Sequence, residues 1–187
     1  MITFVMNDRE LQVEEGKTIL EVALDEGIKI PTLCYHKELE PYGACRLCLV
    51  EIIAGDKPGL QASCVYKVSG GLVVKTDTER VIKARKIVLE LLLAQAPDSE
   101  KIKSLAEEYG VTETRIKREN TGNCIQCGLC VRVCAEIVGM NAISFANRGI
   151  KRTVQTPFYK ISDACIGCGA CAYICPTDAI QIEEVVF

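Results

Sequence analysis

Twelve cysteines stand among 187 residues, and most of them fall into two runs with one spacing. Cys124, Cys127, Cys130 and Cys134 form the first run, and Cys165, Cys168, Cys171 and Cys175 the second. Each run places three thiols at i, i+3 and i+6, with a fourth one helical turn further on. Three thiolates in one tight loop can hold three corners of a 4Fe-4S cube, leaving the last corner to a distant thiol. A zinc ion pairs two ligands with two more, so three in a single loop, twice over, exceeds what one tetrahedral ion uses.

The double run is similar to that of bacterial two-cluster ferredoxins, in which the last Cys of each run ligates the other cluster. That resemblance implies one 4Fe-4S site from Cys124, Cys127, Cys130 and Cys175, and a second from Cys165, Cys168, Cys171 and Cys134. The two halves look duplicated. Gly128 answers Gly169, where a missing Cβ lets backbone amides approach a cluster, and Asn141-Ala142-Ile143 answers Asp178-Ala179-Ile180. Two departures stand out. Ala135 occupies the place that Pro176 holds in the second half, and Ser144 to Ala164, with Arg148, Gly149, Val154, Pro157 and Phe158, is long enough for an inserted hairpin.

The other four cysteines, Cys34, Cys45, Cys48 and Cys64, are spaced Cys-x10-Cys-x2-Cys-x15-Cys. A 2Fe-2S rhomb needs two thiolates per iron, and a Cys-x2-Cys pair with two single cysteines from neighbouring loops can supply them. On spacing alone a structural zinc site remains the competing reading. Gly43-Ala44 ahead of Cys45 would bring backbone amides to the sulfurs. The single histidine, His36, lies two residues after Cys34 and is expected to pack or hydrogen-bond near this site, with ligation the lesser alternative.

Composition narrows the classes. Lys and Arg number 22 against 25 Asp and Glu, a net charge of -3, which argues against a nucleic-acid binder. A strand-like pattern begins at residue 2 with no apolar signal segment, so free thiols, metal and a cytoplasmic location are expected rather than disulfides. The longest helix-like apolar run, Ile87 to Ala96, is interrupted by Glu90 and Gln95 and falls short of a membrane span.

The elements that must position these residues follow from periodicity. Residues 2–6 and 10–14 read as strands around the turn Asn7-Asp8-Arg9. Thr18 with Glu21 makes a capping box for a helix over Ile19, Val22 and Ala23 that Gly27 can end. Strands are expected at Leu49 to Ile53, around Gln61 to Val68 and at Leu72 to Lys75. A helix over residues 79–96, capped by Thr76 with Glu79, should turn Val81, Ala84, Val88, Leu91 and Gln95 to one face, with Ile82, Ile87 and Leu92 close by, and end at Pro97. A second, over residues 99–109, should bury Ile102, Leu105, Ala106 and Tyr109 and stop at Gly110. The basic runs Arg115 to Arg118 and Gly149 to Arg152 read as solvated surface or as docking points.

Residues 1–75, through EEGKTILEVALDEGIKIPTLCYH, GACRLCLVEI and the Ser63-Cys64 pair, resemble the 2Fe-2S ferredoxin-like domain that opens the complex I large iron-sulfur subunit. Iron-only hydrogenases and the diaphorase subunit of NAD-linked hydrogenases open with the same domain. Residues 124–182 resemble the two-cluster module that follows it there. The resemblance implies an α+β chain: a β-grasp domain over 1–76, a helical linker over 77–116, and a two-4Fe-4S domain over 117–187. In those relatives the middle region holds a further 4Fe-4S cluster through one His and three Cys. Residues 77–116 contain neither residue type, so that cluster is read as lost.

One 2Fe-2S and two 4Fe-4S clusters would use every cysteine and leave no catalytic thiol. No Gly-rich nucleotide loop is present, so flavin and NAD are not expected in this chain. The resemblance then implies a non-catalytic electron-carrying subunit. Its partners would be a flavoprotein that oxidises NAD(P)H and a further redox subunit or ferredoxin, in a soluble hydrogenase, a formate dehydrogenase or a flavin-based bifurcating transhydrogenase. A free multi-cluster ferredoxin is the alternative.

Overall fold

Phe4 and Met6 alternate with outward residues along β1 (Ile2–Met6), the period-two pattern of a strand with one buried face. β1 returns as β2 (Arg9–Val13) through Asn7 and Asp8, which both have positive φ, 49° and 66°. Asn and Asp tolerate that region, so a two-residue hairpin turn forms where the sequence suggests one. The computed structural model from which these elements are taken describes residues 1–116 and 122–182. Lys117 and Arg118 of the first basic run, and the expected domain boundary at 117, lie outside the described residues.

The hairpin belongs to a five-stranded mixed sheet. After α1 (Ile19–Asp25) and a long cysteine-bearing loop come β3 (Leu49–Ala54), β4 (Gly59–Ala62) and β5 (Val73–Lys75), in the spatial order β2-β1-β5-β3-β4. β1 pairs with β5 in parallel and every other pairing is antiparallel. Ile19, Leu20, Val22 and Ala23 of α1 pack on Phe4, Met6, Val50, Ile52 and Val74 of the sheet, the β-grasp arrangement. The capping box is formed: the Thr18 amide donates to Glu21 Oε2 at 2.7 Å, and the Glu21 amide donates to Thr18 Oγ1 at 3.2 Å.

Two expectations about this half are corrected. The strand expected around Gln61 to Val68 ends at Ala62, because the Ser63 amide and hydroxyl both donate to the Cys48 carbonyl and turn the chain there. Thr76 does not cap the next helix. Its amide donates to Asn7 Oδ1 and its hydroxyl accepts from Asn7 Nδ2, which ties the first hairpin to β5, while Thr78 caps α2 (Glu79–Gln95) by accepting from the Val81 amide.

The buried face of α2 is also rotated from the expected one. Val81, Arg85, Leu89 and Leu92 point inward, whereas Ile87 and Leu91 are half exposed at 48% and 50%. Apolar periodicity passes over arginine, and so over the fact that Arg85 is a core residue. Pro97 follows the helix, and α3 (Glu100–Glu108) buries Ile102 and Ala106 before Gly110 stops it at φ +69°. Together α2 and α3 form the middle of a second hydrophobic core. On one side lie Leu33, Cys34, Cys45 and Leu47 from the cysteine loop, and on the other Ile125, Cys127, Leu129 and Val133.

The last third repeats itself. α4 (Leu129–Arg132) and α5 (Ala170–Tyr173) each start after a left-handed glycine, Gly128 at φ +77° and Gly169 at φ +73°. Between them the expected hairpin is present as β6 (Ser144–Ala146) paired antiparallel with β7 (Thr153–Gln155). The halves differ where Ala135 replaces the proline: the backbone runs on as a π-helical turn from Val133 to Ile137, whereas α5 stops short of Cys175 and Pro176. None of the described helices is long and apolar enough to cross a membrane.

The register of α2 is directly testable. Leu89→Ala should cost about 2–5 kcal/mol in denaturant unfolding, whereas Leu91→Ala, two positions on, should stay within about 0.5 kcal/mol of the parent. Equal losses would mean that the helix is rotated from the face described.

Candidate functional site

Cys34, Cys45, Cys48 and Cys64 come together from two loops, α1–β3 and β4–β5, and are all buried. The β3–β4 pairing brings the last two into register, since Cys48 directly precedes β3 and only Ser63 separates β4 from Cys64. Cys34 and Cys45 arrive on the loop between α1 and β3, whose path needs positive φ at Gly43 (69°) and Arg46 (58°). The Cys45 amide donates to Cys34 Sγ at 3.4 Å, the amide-to-sulfur approach expected of the Gly43-Ala44 turn. The thiols also share hydrogen bonds with one another, Cys34 with Cys45 and Cys64, and Cys64 with Cys48. That sharing lowers the pKa of Cys34 and of Cys48 and raises those of Cys45 and Cys64.

The eight remaining cysteines surround two cavities. Cys124, Cys127, Cys130 and Cys175 line one of about 240 Å³, and Cys134, Cys165, Cys168 and Cys171 line another of about 430 Å³. The fourth cysteine of each run therefore faces the cavity of the other run. The duplication reaches the hydrogen bonds: the Ala142 amide donates to Cys134 Sγ and the Ala179 amide to Cys175 Sγ, both at 3.3 Å. Asn141 and Asp178, just before those amides, both adopt φ 51°.

The donor set and the space fit a polynuclear cluster. A lone zinc ion draws sulfur to about 2.3 Å. The thiols instead ring volumes of several water molecules. The two cavities differ in exposure. Cys127 and Cys130 are buried, and burial pushes their thiols up to about 11 and about 12. Cys165 and Cys168 are exposed.

The first cavity abuts the four-thiol loop site. Cys34, Cys45 and Cys127 belong to one hydrophobic core, and the Gln95 amide nitrogen Nε2 donates to the Cys124 carbonyl at 3.1 Å. Arg132 of α4 crosses the boundary, donating from Nη2 to the Cys34 carbonyl at 2.9 Å and from Nη1 to the Glu40 carbonyl. Its guanidinium lies over the Tyr42 ring, 5.3 Å from the centroid. Tyr42 in turn accepts from Arg152 Nη2 at 3.0 Å, and Arg152 lies 3.6 Å from the Phe145 centroid. A Cβ on Gly128 would meet Phe145 at 3.2 Å and Tyr42 at 3.4 Å, so only glycine fits that joint.

Of the residues singled out in the sequence, His36 behaves otherwise than expected. It is exposed, and its Nδ1 accepts from the Glu38 amide at 3.3 Å, closing its own turn. Arg115 pairs with Glu90 at 3.0 Å, and Arg152 is engaged as described. Arg85, Tyr42 and Arg132 carry no motif of their own. A sequence signal for Arg132 exists only in its place inside the first cysteine run.

Comparison with known proteins places the two halves in two domain families. Residues 1–79 match the 2Fe-2S iron-sulfur cluster binding domain, and residues 123–179 match the 4Fe-4S dicluster domain. Over 97% of its length the chain is 33% identical to an NADH-quinone oxidoreductase subunit of Rhizobium meliloti, covering 24% of that protein. It is 32% identical to the NADPH-Fe(3+) oxidoreductase subunit alpha of Geobacter sulfurreducens over the whole chain and 25% of the relative. It is 31% identical to an NADP-reducing hydrogenase subunit of Solidesulfovibrio fructosivorans, again over the whole chain, and 37% of the relative. The chain thus spans about a quarter to a third of the curated relatives it matches. A solved structure of an NAD+-reducing [NiFe]-hydrogenase in the H2-reduced state superposes with a TM-score of 0.83 at 29% identity, over 95% of this chain and 86% of that one. The resemblance to iron-sulfur subunits of NAD(P)H-linked oxidoreductases and hydrogenases therefore holds for both halves.

Thiol chemistry on the metal-free chain separates the sites. Among the eight cysteines of the two runs, brief iodoacetamide labelling near pH 8 should modify Cys165 and Cys168 first, and Cys127 and Cys130 last, because the latter are buried and titrate well above that pH. Raising the pH toward 11 should speed labelling of Cys127 before Cys130. Peptide mass spectrometry reads the order, and uniform labelling would contradict the burial described.

Proposed function

We propose that this chain, an iron-sulfur protein joining a 2Fe-2S cluster binding domain to a 4Fe-4S dicluster domain, is the electron-relaying subunit of a multi-subunit NAD(P)H-dependent oxidoreductase. The observation that carries the reading is the packing of Cys34 and Cys45 in one core with Cys127: two thiol-lined sites from different domains share a wall. Bound clusters of these types supply one-electron redox chemistry at low potential. The protein's own part is to hold the sites side by side, to keep water from two of them, and to leave the third accessible.

The proposed assignment is a 2Fe-2S site on Cys34, Cys45, Cys48 and Cys64, a first 4Fe-4S site on Cys124, Cys127, Cys130 and Cys175, and a second on Cys165, Cys168, Cys171 and Cys134. The domains proposed are 1–76, 77–116 and 117–187, with the helix pair as a filled joint between the outer two rather than an open spacer. Neither flavin nor nicotinamide is assigned to this chain, so a flavoprotein partner splits the hydride pair in a cytoplasmic complex of the hydrogenase, formate dehydrogenase or transhydrogenase type.

A permanent partner is favoured over a diffusible ferredoxin by the surface around the third site. Ile161 and Ile166 are 85% and 65% exposed beside Cys165, and Phe158 and Tyr159 project at 91% and 72% with positive φ, a strained conformation for bulky residues. The stretch from Ser144 to Ser162 has no acidic residue and carries Arg148, Lys151 and Lys160 exposed, besides Arg152, which is engaged with Tyr42 and Phe145. An apolar centre with a basic rim suits a subunit that presents an apolar patch ringed by carboxylates.

Anaerobic purification should give about ten irons per chain, from one 2Fe-2S and two 4Fe-4S centres, together with a flavoprotein. Ten irons and no partner would favour the free carrier, and zinc in place of iron would remove the cluster assignment. Two variants test the details. Cys134→Ser should deplete the centre of Cys165, Cys168 and Cys171 rather than that of its own run, as read by EPR and iron content. Phe158→Asp should release the partner on gel filtration while the iron content stays unchanged.

A further inference from the structure

One guanidinium in this protein is buried and a second half-buried, and neither bonds a carboxylate among the described residues. Arg85 on α2 is 2% exposed, donates from Nη2 to the Leu49 carbonyl at 2.7 Å and from Nη1 to the Tyr109 hydroxyl at 3.2 Å, and leaves Nε without a partner. Arg132 on α4 is partly buried, donates to the carbonyls of Cys34 and Glu40, and likewise leaves a buried Nε unpaired. Neither takes part in an ion pair among the described residues, although Arg80 on the same helix as Arg85 pairs with Glu51, and Arg115 pairs with Glu90.

Burying a cation away from water is costly unless negative charge lies close by. Arginine does not deprotonate to escape that cost. Glu136 Oε2 accepts from the Glu40 amide at 3.0 Å, which brings one carboxylate near Arg132 without bonding it, and no Asp or Glu side chain among the described residues bonds Arg85, so further negative charge is needed close to the pair. Both guanidiniums bond backbone at the same thiol group. Leu49 directly follows Cys48, and Cys34 is itself one of the four thiols, so Arg85 and Arg132 grip the loop site beside Cys48 and at Cys34 from two different helices.

We infer that Arg85 and Arg132 are charge-compensating residues of the site formed by Cys34, Cys45, Cys48 and Cys64, and that their two positive charges stabilise its reduced, more negative state. The inference rests on the reading of that site as a 2Fe-2S centre. It gives the buried cations a counter-charge in four thiolates, and it explains why a shape-filling hydrophobe does not occupy position 85. Arg132 lies between Cys130 and Cys134 in the chain and bonds the Cys34 carbonyl, so its charge sits at the wall between the loop site and the first cavity. These are positioning residues, since neither contacts a sulfur directly.

The test is an EPR-monitored redox titration of the full chain with a low-potential reductant that supplies one electron to the 2Fe-2S centre. Arg132→Met and Arg85→Met remove the charge and keep an unbranched apolar side chain. Each is expected to shift the reduced-to-oxidised ratio at a fixed poise about tenfold toward oxidised, which for a one-electron couple is about 59 mV. Arg132→Lys keeps the charge and should restore most of the ratio, a result that a purely structural role does not produce. Arg80→Met, which removes an exposed and paired charge from the same helix, should shift nothing. Should Arg85→Met lose iron, Arg132→Met decides alone, because that residue is partly exposed and its loss leaves the α2 core intact. An unchanged midpoint in Arg132→Met with full iron content overturns the inference while leaving the cluster assignment standing. Absence of a 2Fe-2S signal from the parent protein at full 4Fe-4S content overturns both.

Discussion

The loop between α1 and β3 meets the first cysteine run across a wall of apolar side chains, and the rest of the chain is arranged to make that meeting possible. Leu33, Leu39 and Leu47 come from one side, Ile125, Leu129 and Val133 from the other, and Leu89, Leu92, Ile102 and Ala106 fill the middle. At about 25 cal/mol per Å² of apolar surface removed from water, such side chains hold the joint without any covalent bond. A relay requires fixed spacing between its centres. Here two sets of thiols share a hydrophobic core, so neither can move without opening it, and the hydrogen bond from Arg132 to the Cys34 carbonyl adds direction to what packing alone would leave free to slide.

The same constraint explains the helix pair. A segment that has no ligand of its own, residues 77–116, reads in the sequence as a spacer. In the fold it replaces with hydrocarbon whatever else would occupy the gap between the two domains, and its surface is apolar on the sides that face each. α2 buries Val81, Arg85, Leu89 and Leu92, and leaves Ile87 and Leu91 half exposed.

Features with a local cause are legible in the sequence. The Asn7-Asp8 turn, the Thr18–Glu21 capping box, the glycine stops and the hairpin between the duplicated cysteine runs each depend on residues a few positions apart, and each forms. The crossed facing of Cys134 and Cys175 is legible for a different reason, because a duplicated motif carries its own long-range partner. What is not legible depends on residues far apart in sequence. Thr76 has the type and spacing of a cap, but Asn7, at the other end of the domain, takes both its amide and its hydroxyl. The strand expected over 61–68 has no local reason to stop, and ends because Ser63 turns to the Cys48 carbonyl. Arg85 reads as polar in any helical pattern, since no local rule can supply the counter-charge that makes a buried guanidinium tolerable.

The two halves of the cysteine-rich domain show what divergence does to a duplication. Their ligand-bearing turns keep the same left-handed glycine, the same positive φ before the amide, and the same amide-to-sulfur distance of 3.3 Å. Their surroundings have parted. The first half lies against the α2–α3 core and the β6–β7 hairpin and hides Cys127 and Cys130, while the second presents Cys165 and Cys168 at the surface. A symmetric pair of sites would have no preferred direction. Burial on one side and exposure on the other gives the chain an inside end and an outside end, and the residues responsible are those of the hairpin and the helix pair rather than any of the cysteines.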